Sequence, residues 1–485
     1  MNRRPDPIII QGGMGAGVSA WQLASAVAQA GQLGVVSGTA LDAILSRRLQ
    51  RGDPDGHMRR ALAAFPLPAI SNQILKRHFI PGGKLPTTPF RSLPLLTNEA
   101  SQHQLELIVV ANFAEVYLAK ENHHGLVGIN YLEKIQAPTL PSLMGAMLAG
   151  VDYVLMGAGI PLFIPAAMDA LCAGNSVDLP LRVEGADRND SFRLHFDPSA
   201  FISEGISQLA RPKFLPIVAS AALANMLARK ASGPVDGFVV EGPTAGGHNA
   251  PPRGHPQLNL RGEPTYGERD VVDLEEMRSL GHPFWLAGSY GSPEMVVNAL
   301  AAGAAGVQVG TAFAFCNESG LREDIKAKVI RMSRAGELDV FTDPVASPTG
   351  FPFKVLQLDG TLSDAGEYDN RERHCDLGYL RQAYKKEDGS LGWRCPAEPA
   401  DAYVHKGGNA GQAIGRKCLC NSLVANIGLE QTRRNGGPEK PLLTCGDDVN
   451  GIHRFLPDPS ADIYSARDVV HRLMSLVPAP QSSAT

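Results

Sequence analysis

The chain has no large excess of either charge: 45 Lys and Arg stand against 49 Asp and Glu, a formal net charge of −4. That removes the basic footprint expected of a nucleic-acid binder, and no acidic tail is present. No window of about 18 apolar residues is free of charges and helix breakers, so no membrane span is expected. The opening MNRRPDPIIIQGGMG holds only a short Ile run. This is too short for the apolar core of a secretion signal, and a cytoplasmic location is the expectation. The seven cysteines are an odd number. Without an export signal they predict reduced thiols, some of them metal ligands, and not a disulfide framework. Low-complexity sequence is absent too, because the 51 Gly and 36 Pro are scattered. Hydrophobic residues reach 44% against 19% charged, enough for a sizeable buried core and too apolar for a disordered chain.

What is present is a repeat. Eight short apolar runs, rich in Val and Ile, alternate with helical patterns: Ile8–Gln11, Gly34–Ser37, Val127–Asn130, Asp152–Met156, Leu215–Ala219, Gly237–Glu241, Phe284–Ala287 and Gly306–Gly310. Continuous apolar runs suit strands buried on both faces of a parallel sheet. Helices are expected between them over Ser19–Gln29, Pro141–Ala149 and Pro293–Ala302, the last with Pro in its first turn, where a missing N–H costs little. Eight such units predict an α/β fold, a (β/α)8 TIM barrel over residues 1–340, with an open doubly wound sheet as the competing arrangement. Insertions interrupt the repeat near 52–125, 175–212 and 249–270. The first includes a further strand-like segment, Leu107–Ala111, and the second reads as a hairpin. Residues 341–485 hold no repeat but five of the seven cysteines, and are expected to form a smaller module packed on the barrel mouth.

Barrel active sites lie at the carboxyl ends of strands, so the strand ends carry the functional reading. The first run ends in Gln11-Gly12-Gly13-Met14-Gly15, where paired glycines allow a flat ligand to approach the backbone; a tight strand–helix turn would use the same residues. The seventh and eighth runs end in Gly288-Ser289 and Gly310-Thr311, whose backbone N–H groups suit a phosphate. The sixth gives the sharpest feature, Glu241-Gly242-Pro243-Thr244-Ala245-Gly246-Gly247-His248. A histidine at a strand end can give or take a proton near neutral pH, whereas a structural histidine would be satisfied by loop backbone. Gly13-Met14-Gly15-Ala16-Gly17 is not a dinucleotide fingerprint, because Ser37-Gly38-Thr39 stands where an acidic residue should end the second strand. Cys375, Cys395, Cys418 and Cys420 are candidate ligands for zinc or an iron–sulfur cluster, although their spacing matches neither a zinc ribbon nor a ferredoxin run.

Together QGGMGAG at 11–17, VLMGAG at 154–159, VEGPTAGGH at 240–248 and GVQVGTAF at 306–313 resemble the nitronate monooxygenase / FMN-dependent enoyl reductase family, the 2-nitropropane dioxygenase-like proteins. The segments SPTGFPFK and GRKCLCNSL are similar to its PfaD-type and FabX-type branch of lipid and polyketide synthesis. The resemblance implies a barrel that binds FMN at its mouth. Gly12, Gly13 and Met14 would lie against the flavin edge, and Thr39, Asn130, Ser220 and Glu241 would be cofactor-binding strand-end residues. Gly246, Gly247, Gly288, Gly310 and Thr311 would reach the phosphate and Gln308 the ring, with His248 as the catalytic residue. It also implies a [4Fe-4S] cluster on the four cysteines, with zinc as the alternative, and NAD(P)H as a co-substrate. The sequence departs from the family pattern at Ser289 and at Ala312, which bears on the substrate pocket.

The expected function is an FMN-dependent oxidoreductase acting on an acyl thioester, as enoyl reductase or dehydrogenase/isomerase, with the substrate free or borne by an acyl carrier protein. Oxidation of alkyl nitronates by O2 is the alternative, and a non-catalytic flavin- or metal-binding accessory protein is a third reading. NADH and NADPH are not distinguished.

Overall fold

The computed structural model describes residues 5–202, 209–255, 257–433 and 437–478. Parts of the insertions at 175–212 and 249–270 thus lie outside the described residues.

Eight parallel strands form one sheet: β1 (Ile9–Gln11), β2 (Gly34–Ser37), β3 (Val127–Leu132), β4 (Tyr153–Gly157), β5 (Lys213–Val218), β6 (Phe238–Glu241), β7 (Phe284–Ala287) and β8 (Gly306–Val309). Around the sheet the order is β1-β8-β7-β6-β5-β4-β3-β2. Closure comes from a parallel bridge between Ile10 and Leu33, with Gln11 N donating to Leu33 O at 2.9 Å and Leu33 N to Ile9 O at 3.1 Å. The result is a closed (β/α)8 barrel. The open doubly wound sheet is excluded because the first and second strands meet.

The strands are apolar throughout because both of their faces are buried. Ile10, Leu33, Val35, Tyr153, Leu155, Leu215, Val239, Trp285 and Ala287 pack together as the barrel interior. Their neighbours Ile9, Val36, Val154, Met156, Val240 and Leu286 face the surrounding helices. Trp285 donates from Nε1 to Pro7 O at 2.7 Å, which ties the chain before β1 to that interior. The expected helices are present as Trp21–Gln29, Thr139–Leu148 and Pro293–Ala301.

One expectation fails. Leu107–Ala111 is not a strand; it lies within the helix Gln102–Lys120. Ser101 and Gln104 form a capping box at its start. The helix packs on Trp21–Gln29, Leu41–Gln50, His57–Ala64 and Thr139–Leu148, so residues 107–111 are buried on every side. A helix apolar all round loses the period that distinguishes it from a buried strand. The hairpin expected in 175–212 is present: Val177–Pro180 pairs antiparallel with Arg193–Phe196.

Beyond residue 340 the chain returns to the barrel repeatedly. Val340–Asp343 and Phe353–Leu356 pair antiparallel, and a hairpin of Gln382–Lys385 and Leu391–Arg394 adds Val183–Glu184 of the earlier insertion as a parallel third strand. Residues of both parts share one hydrophobic core, including Leu356, Val424 and Leu473. The helix Ala466–Met474 packs against both Trp21–Gln29 and Pro293–Ala301, covering the barrel between its first and last units. Among the described residues no helix is long and apolar enough to cross a membrane.

Candidate active site at the barrel mouth

The strand ends and the C-terminal segment enclose a cavity of about 220 Å³. Its floor begins at β1. Ser19 Oγ donates to Gly12 O and accepts from Met14 N at 2.9 Å, which fixes the glycine loop. A Cβ at Gly13 would stand 2.4 Å from Asn130 Cβ, so only glycine leaves the Asn130 side chain in place. Asn130 Oδ1 and Gln308 Oε1 are both buried and lack any hydrogen-bond partner. Two orphaned amide oxygens facing one cavity mark a place built for a ligand that supplies donors, since buried polar groups are otherwise satisfied.

After β6 the backbone turns through Gly247 at φ +84°, in the left-handed region that favours glycine. Gly247 N donates to Thr444 Oγ1 at 2.8 Å, and Lys354 N donates to Gly247 O at 2.9 Å. His248 then pairs with Phe353 as an isolated antiparallel bridge. Its ring meets the Phe353 ring edge-on, with centroids 4.8 Å apart, and its Nε2 lies 2.7 Å from Ser347 Oγ. Burial, with the nearby Lys134 ammonium adding to it, pushes the His248 imidazole down to about 4. Its neutral form therefore fills the site at pH 7. At the end of β6 the Glu241 carboxyl is pushed up to about 8 by burial alone, so it too stands neutral at pH 7. Two titratable groups in one cavity, displaced in opposite senses from their ordinary values, make it the candidate site.

Beside the turn after β6 lie Gly288, Gly310 and Thr311, and a Cβ at Gly288 would stand 2.9 Å from Thr244 Oγ1. Thr311 Oγ1 accepts from Gly446 N at 2.9 Å, so the C-terminal segment closes on the strand ends there.

Of the residues expected at the site, Gly12, Gly13, Met14, Thr39, Asn130, Glu241, Gly246, Gly247, His248, Gly288, Gln308, Gly310 and Thr311 line this one cavity. Ser220 does not. It is the N-cap of the helix Ala221–Lys230, its hydroxyl accepting from Leu223 N at 3.1 Å. A serine just before a helix serves that purpose without any ligand. Sequence reasoning missed the far wall of the cavity: Tyr379, Leu380, Leu419, Leu423, Thr444, Cys445 and Asp448. No motif carries them. They reach the mouth only through long-range packing of the C-terminal segment.

The four candidate ligand cysteines do converge. Cys395 and Cys418 pack together with Cys420 against them. Cys375 is close enough to the other three for their charges to act on one another. Asn421 Nδ2 donates to Cys418 Sγ at 3.4 Å, and Cys420 also lines the cavity. Among the described residues no group of three or more His, Cys, Asp or Glu side chains is placed so that it could hold a metal ion.

Residues 200–344, which carry β5 to β8 and His248, match the family model of nitronate monooxygenase. Over that segment the chain is similar to nitronate monooxygenase, and it is an oxidoreductase. No curated protein matches the chain. Among solved structures, the nitronate monooxygenase-like chain is similar to FabK from Thermotoga maritima at 17% identity, over 97% of this chain and 92% of that one, with a TM-score of 0.47. It is similar to nitroalkane oxidase from Streptomyces ansochromogenes at 15% identity, over 97% and 95%, with a TM-score of 0.45. The enoyl reductase domain of MlnA, from the macrolactin biosynthesis cluster of Bacillus amyloliquefaciens, is 11% identical over 96% and 93%, with a TM-score of 0.47.

Proposed function

We propose that the protein is an FMN-dependent oxidoreductase that acts on an acyl thioester, reducing an α,β-unsaturated chain or running the same chemistry in reverse. The observation that carries the substrate class is the apolar side of the cavity. Leu132, Ile135, Ile217, Phe353, Leu380, Leu419 and Leu423 all face it, beside His248. A wall of that kind suits a hydrocarbon chain and gives a small polar nitronate little to bind. Nitronate oxidation is the second reading, favoured by the family match itself.

The residues fit the flavin. Gly12, Gly13 and Met14 leave room for a flat ring, and the unpartnered oxygens of Asn130 and Gln308 await ring or ribityl donors. Gly246, Gly247, Gly288, Gly310 and Thr311 would hold the phosphate end. When bound, FMN supplies hydride transfer to or from carbon, with NAD(P)H as the co-substrate that recharges it. The protein's own part is to bind, orient and manage the proton. His248 stands in the cavity as a neutral imidazole, able to protonate the carbon next to the thioester carbonyl or, in reverse, to remove that proton. Glu241, neutral and buried at the end of β6, can donate a hydrogen bond into the cavity but does not add charge to it. The substrate is free or borne by an acyl carrier protein.

The test is steady-state turnover of the FMN-loaded chain with NAD(P)H and an enoyl thioester, set against an alkyl nitronate with O2. Faster turnover of the thioester supports the reading. Turnover of the nitronate alone moves the assignment to the second.

We further propose that Cys375, Cys395, Cys418 and Cys420 take up an iron–sulfur cluster, with zinc as the alternative. Their convergence beside the cavity supports this, since four thiolates form a complete cluster ligand set. Anaerobically purified protein is expected to contain iron and acid-labile sulfide, and Cys395→Ser or Cys418→Ser to remove both. Zinc alone, or no metal in the wild-type protein, counts against the cluster.

A further inference from the structure

The mechanism above leaves His248 with a difficulty. Burial disfavours its charged form, so the imidazole cannot store a proton as imidazolium at pH 7 without a large cost. A residue that delivers protons from such a place needs its second nitrogen supplied as the first one empties.

The loop that holds this second nitrogen comes from the other end of the chain. Ser347 is fully buried, and its Oγ lies 2.7 Å from His248 Nε2 and 2.8 Å from Thr349 Oγ1. Thr349 N donates to Ser347 Oγ at 3.2 Å, and Phe351 N donates to Thr349 Oγ1 at 3.4 Å. The Arg416 guanidinium holds Ser347 O, and Lys134 Nζ holds Thr349 O at 3.2 Å. Lys134 also stacks over the Phe351 ring at 4.2 Å. The hydroxyls are therefore pinned by backbone and cations that do not compete for the hydroxyl protons. Thr349 is partly exposed and Gly350 beyond it is exposed, so the chain of oxygens runs from the buried imidazole to water. Among the described residues His248 Nδ1 has no hydrogen-bond partner.

The hydrogen-bond count is satisfied with the row pointing either way. Thr349 can donate to Ser347 and Ser347 to Nε2; or Nε2–H can donate to Ser347 and Ser347 to Thr349. In the first arrangement both hydroxyl protons have protein acceptors; in the second the Thr349 proton is free to go to water, and each oxygen accepts within its capacity in both. Two opposite arrangements of one row, the second ending on solvent, are what a proton relay requires.

We propose that Ser347 and Thr349 are a hydroxyl relay that exchanges the Nε2 proton of His248 with solvent, leaving Nδ1 as the nitrogen that faces substrate. In the delivering direction the Nδ1–H bond breaks and a C–H bond forms on the substrate carbanion, which supplies the electron pair. The Ser347 proton moves to Nε2, the Thr349 proton moves to Ser347, and water reprotonates Thr349. One solvent proton is consumed, leaving hydroxide in the solvent, and the imidazole changes tautomer without becoming charged. After product leaves, cavity water protonates Nδ1 and the row returns the Nε2 proton to that hydroxide, which restores the starting tautomer. Abstraction is the reverse. Ser347 and Thr349 do not touch substrate in this scheme; they are positioning residues acting through His248. The charged and titratable groups around the imidazole are Lys134, whose ammonium bears on it directly, Arg416 behind Ser347, and Glu241 in the same cavity.

The inference rests on His248 as the proton-handling residue, but its test need not rest on turnover. In the FMN-loaded full chain labelled with 15N-histidine, long-range proton–nitrogen spectra report the tautomer of His248, whose signals are identified by their loss in His248→Gln. The wild type is expected to remain neutral at pH 7 with Nε2 shifted by its hydroxyl partner. Ser347→Ala is expected to change that Nε2 shift and the tautomer ratio, whereas Thr349→Val keeps the Ser347 contact and the shift. With the substrate that turns over, kcat is expected to fall roughly tenfold to a hundredfold in both variants, a modest part of what acid–base groups contribute. The solvent proton inventory, bowed for the several protons of the wild type, becomes linear. Ser347→Cys, which keeps a weak donor, restores part of the rate. An unchanged Nε2 shift in a folded, flavin-loaded Ser347→Ala overturns the inference, as does a wild-type inventory that is already linear. If neither thioester nor nitronate turns over while the Nε2 shift still moves, the contact stands and the functional reading is what fails.

Discussion

Replacing His248 with Gln is expected to lower kcat by about 10²- to 10⁴-fold, the usual contribution of a positioned acid–base group, while FMN content stays that of the wild type. The separation follows from where the ring sits. His248 contributes to the cavity wall through its ring, between Phe353 and the Ser347 hydroxyl, whereas the residues that would hold the cofactor are others, among them Gly12, Gly13, Gly246, Gly247, Gly288 and Gly310. Gln keeps a polar end of similar reach and cannot exchange a proton. The same variant carries a stability signature. Burial holds the folded imidazole at about 4, below its ordinary value of 6.5. Between those values the unfolded chain binds a proton that the folded one refuses, so this group destabilises the fold progressively as pH falls from about 6.5 to about 4. His248→Gln removes the effect, and the Tm difference between variant and wild type is expected to shift in the variant's favour over that interval. A rate loss accompanied by loss of flavin would mean that His248 acts as a cofactor ligand.

Gly246→Val is expected to weaken FMN binding by about ten- to a hundredfold. A Cβ at Gly246 would stand 2.7 Å from the carbonyl carbon of Cys445 and 2.9 Å from Gly446 N, both backbone atoms, so no side chain can swing aside. Overpacking of this kind costs about 1–3 kcal/mol, and each 1.4 kcal/mol is tenfold in affinity. The strain would push residues 444–446 off the mouth. There Thr444 Oγ1 receives Gly247 N and Gly446 N reaches Thr311 Oγ1, so the two sides of the proposed phosphate end would separate. Gly31→Ala is the control. Gly31 also has a positive φ, +82°, but a Cβ there meets nothing within 4 Å and it does not line the cavity. It is expected to cost stability through backbone strain and to leave FMN affinity unchanged. Equal affinity loss in both variants would point to general destabilisation.

The barrel was legible because its strands are buried on both faces. Ile9–Gln11, Gly34–Ser37, Phe284–Ala287 and Gly306–Val309 read as apolar runs for the same reason that they pack into two layers, interior and helix-facing. The same logic misled at Leu107–Ala111, where a helix surrounded by other helices is as evenly apolar as a buried strand. At the site, strand-end glycines and His248 were legible because the fold places every strand end at one mouth. Ser220 shows how such a residue has two uses: a hydroxyl at a strand end is also a hydroxyl at a helix start, and here it caps the helix and does not line the cavity. The wall formed by Tyr379, Leu419 and Thr444, and the Ser347 contact to His248, were not legible. They depend on how an irregular segment folds back over the barrel, and no local pattern encodes that return. The cysteines were an intermediate case, since residue type pointed to a ligand set and only the fold packs Cys395, Cys418 and Cys420 together.

The central claim is that the glycine-lined mouth, with the bare oxygens of Asn130 and Gln308, is a flavin site beside His248. The most direct measurement is a titration of the flavin-free full chain with FMN, followed by flavin fluorescence and absorbance. Saturation at one FMN per chain is predicted, with binding weakened in Gly246→Val and retained in His248→Gln. A chain that leaves the flavin signal unchanged, or that binds it equally well with Gly246→Val in place, would contradict the account.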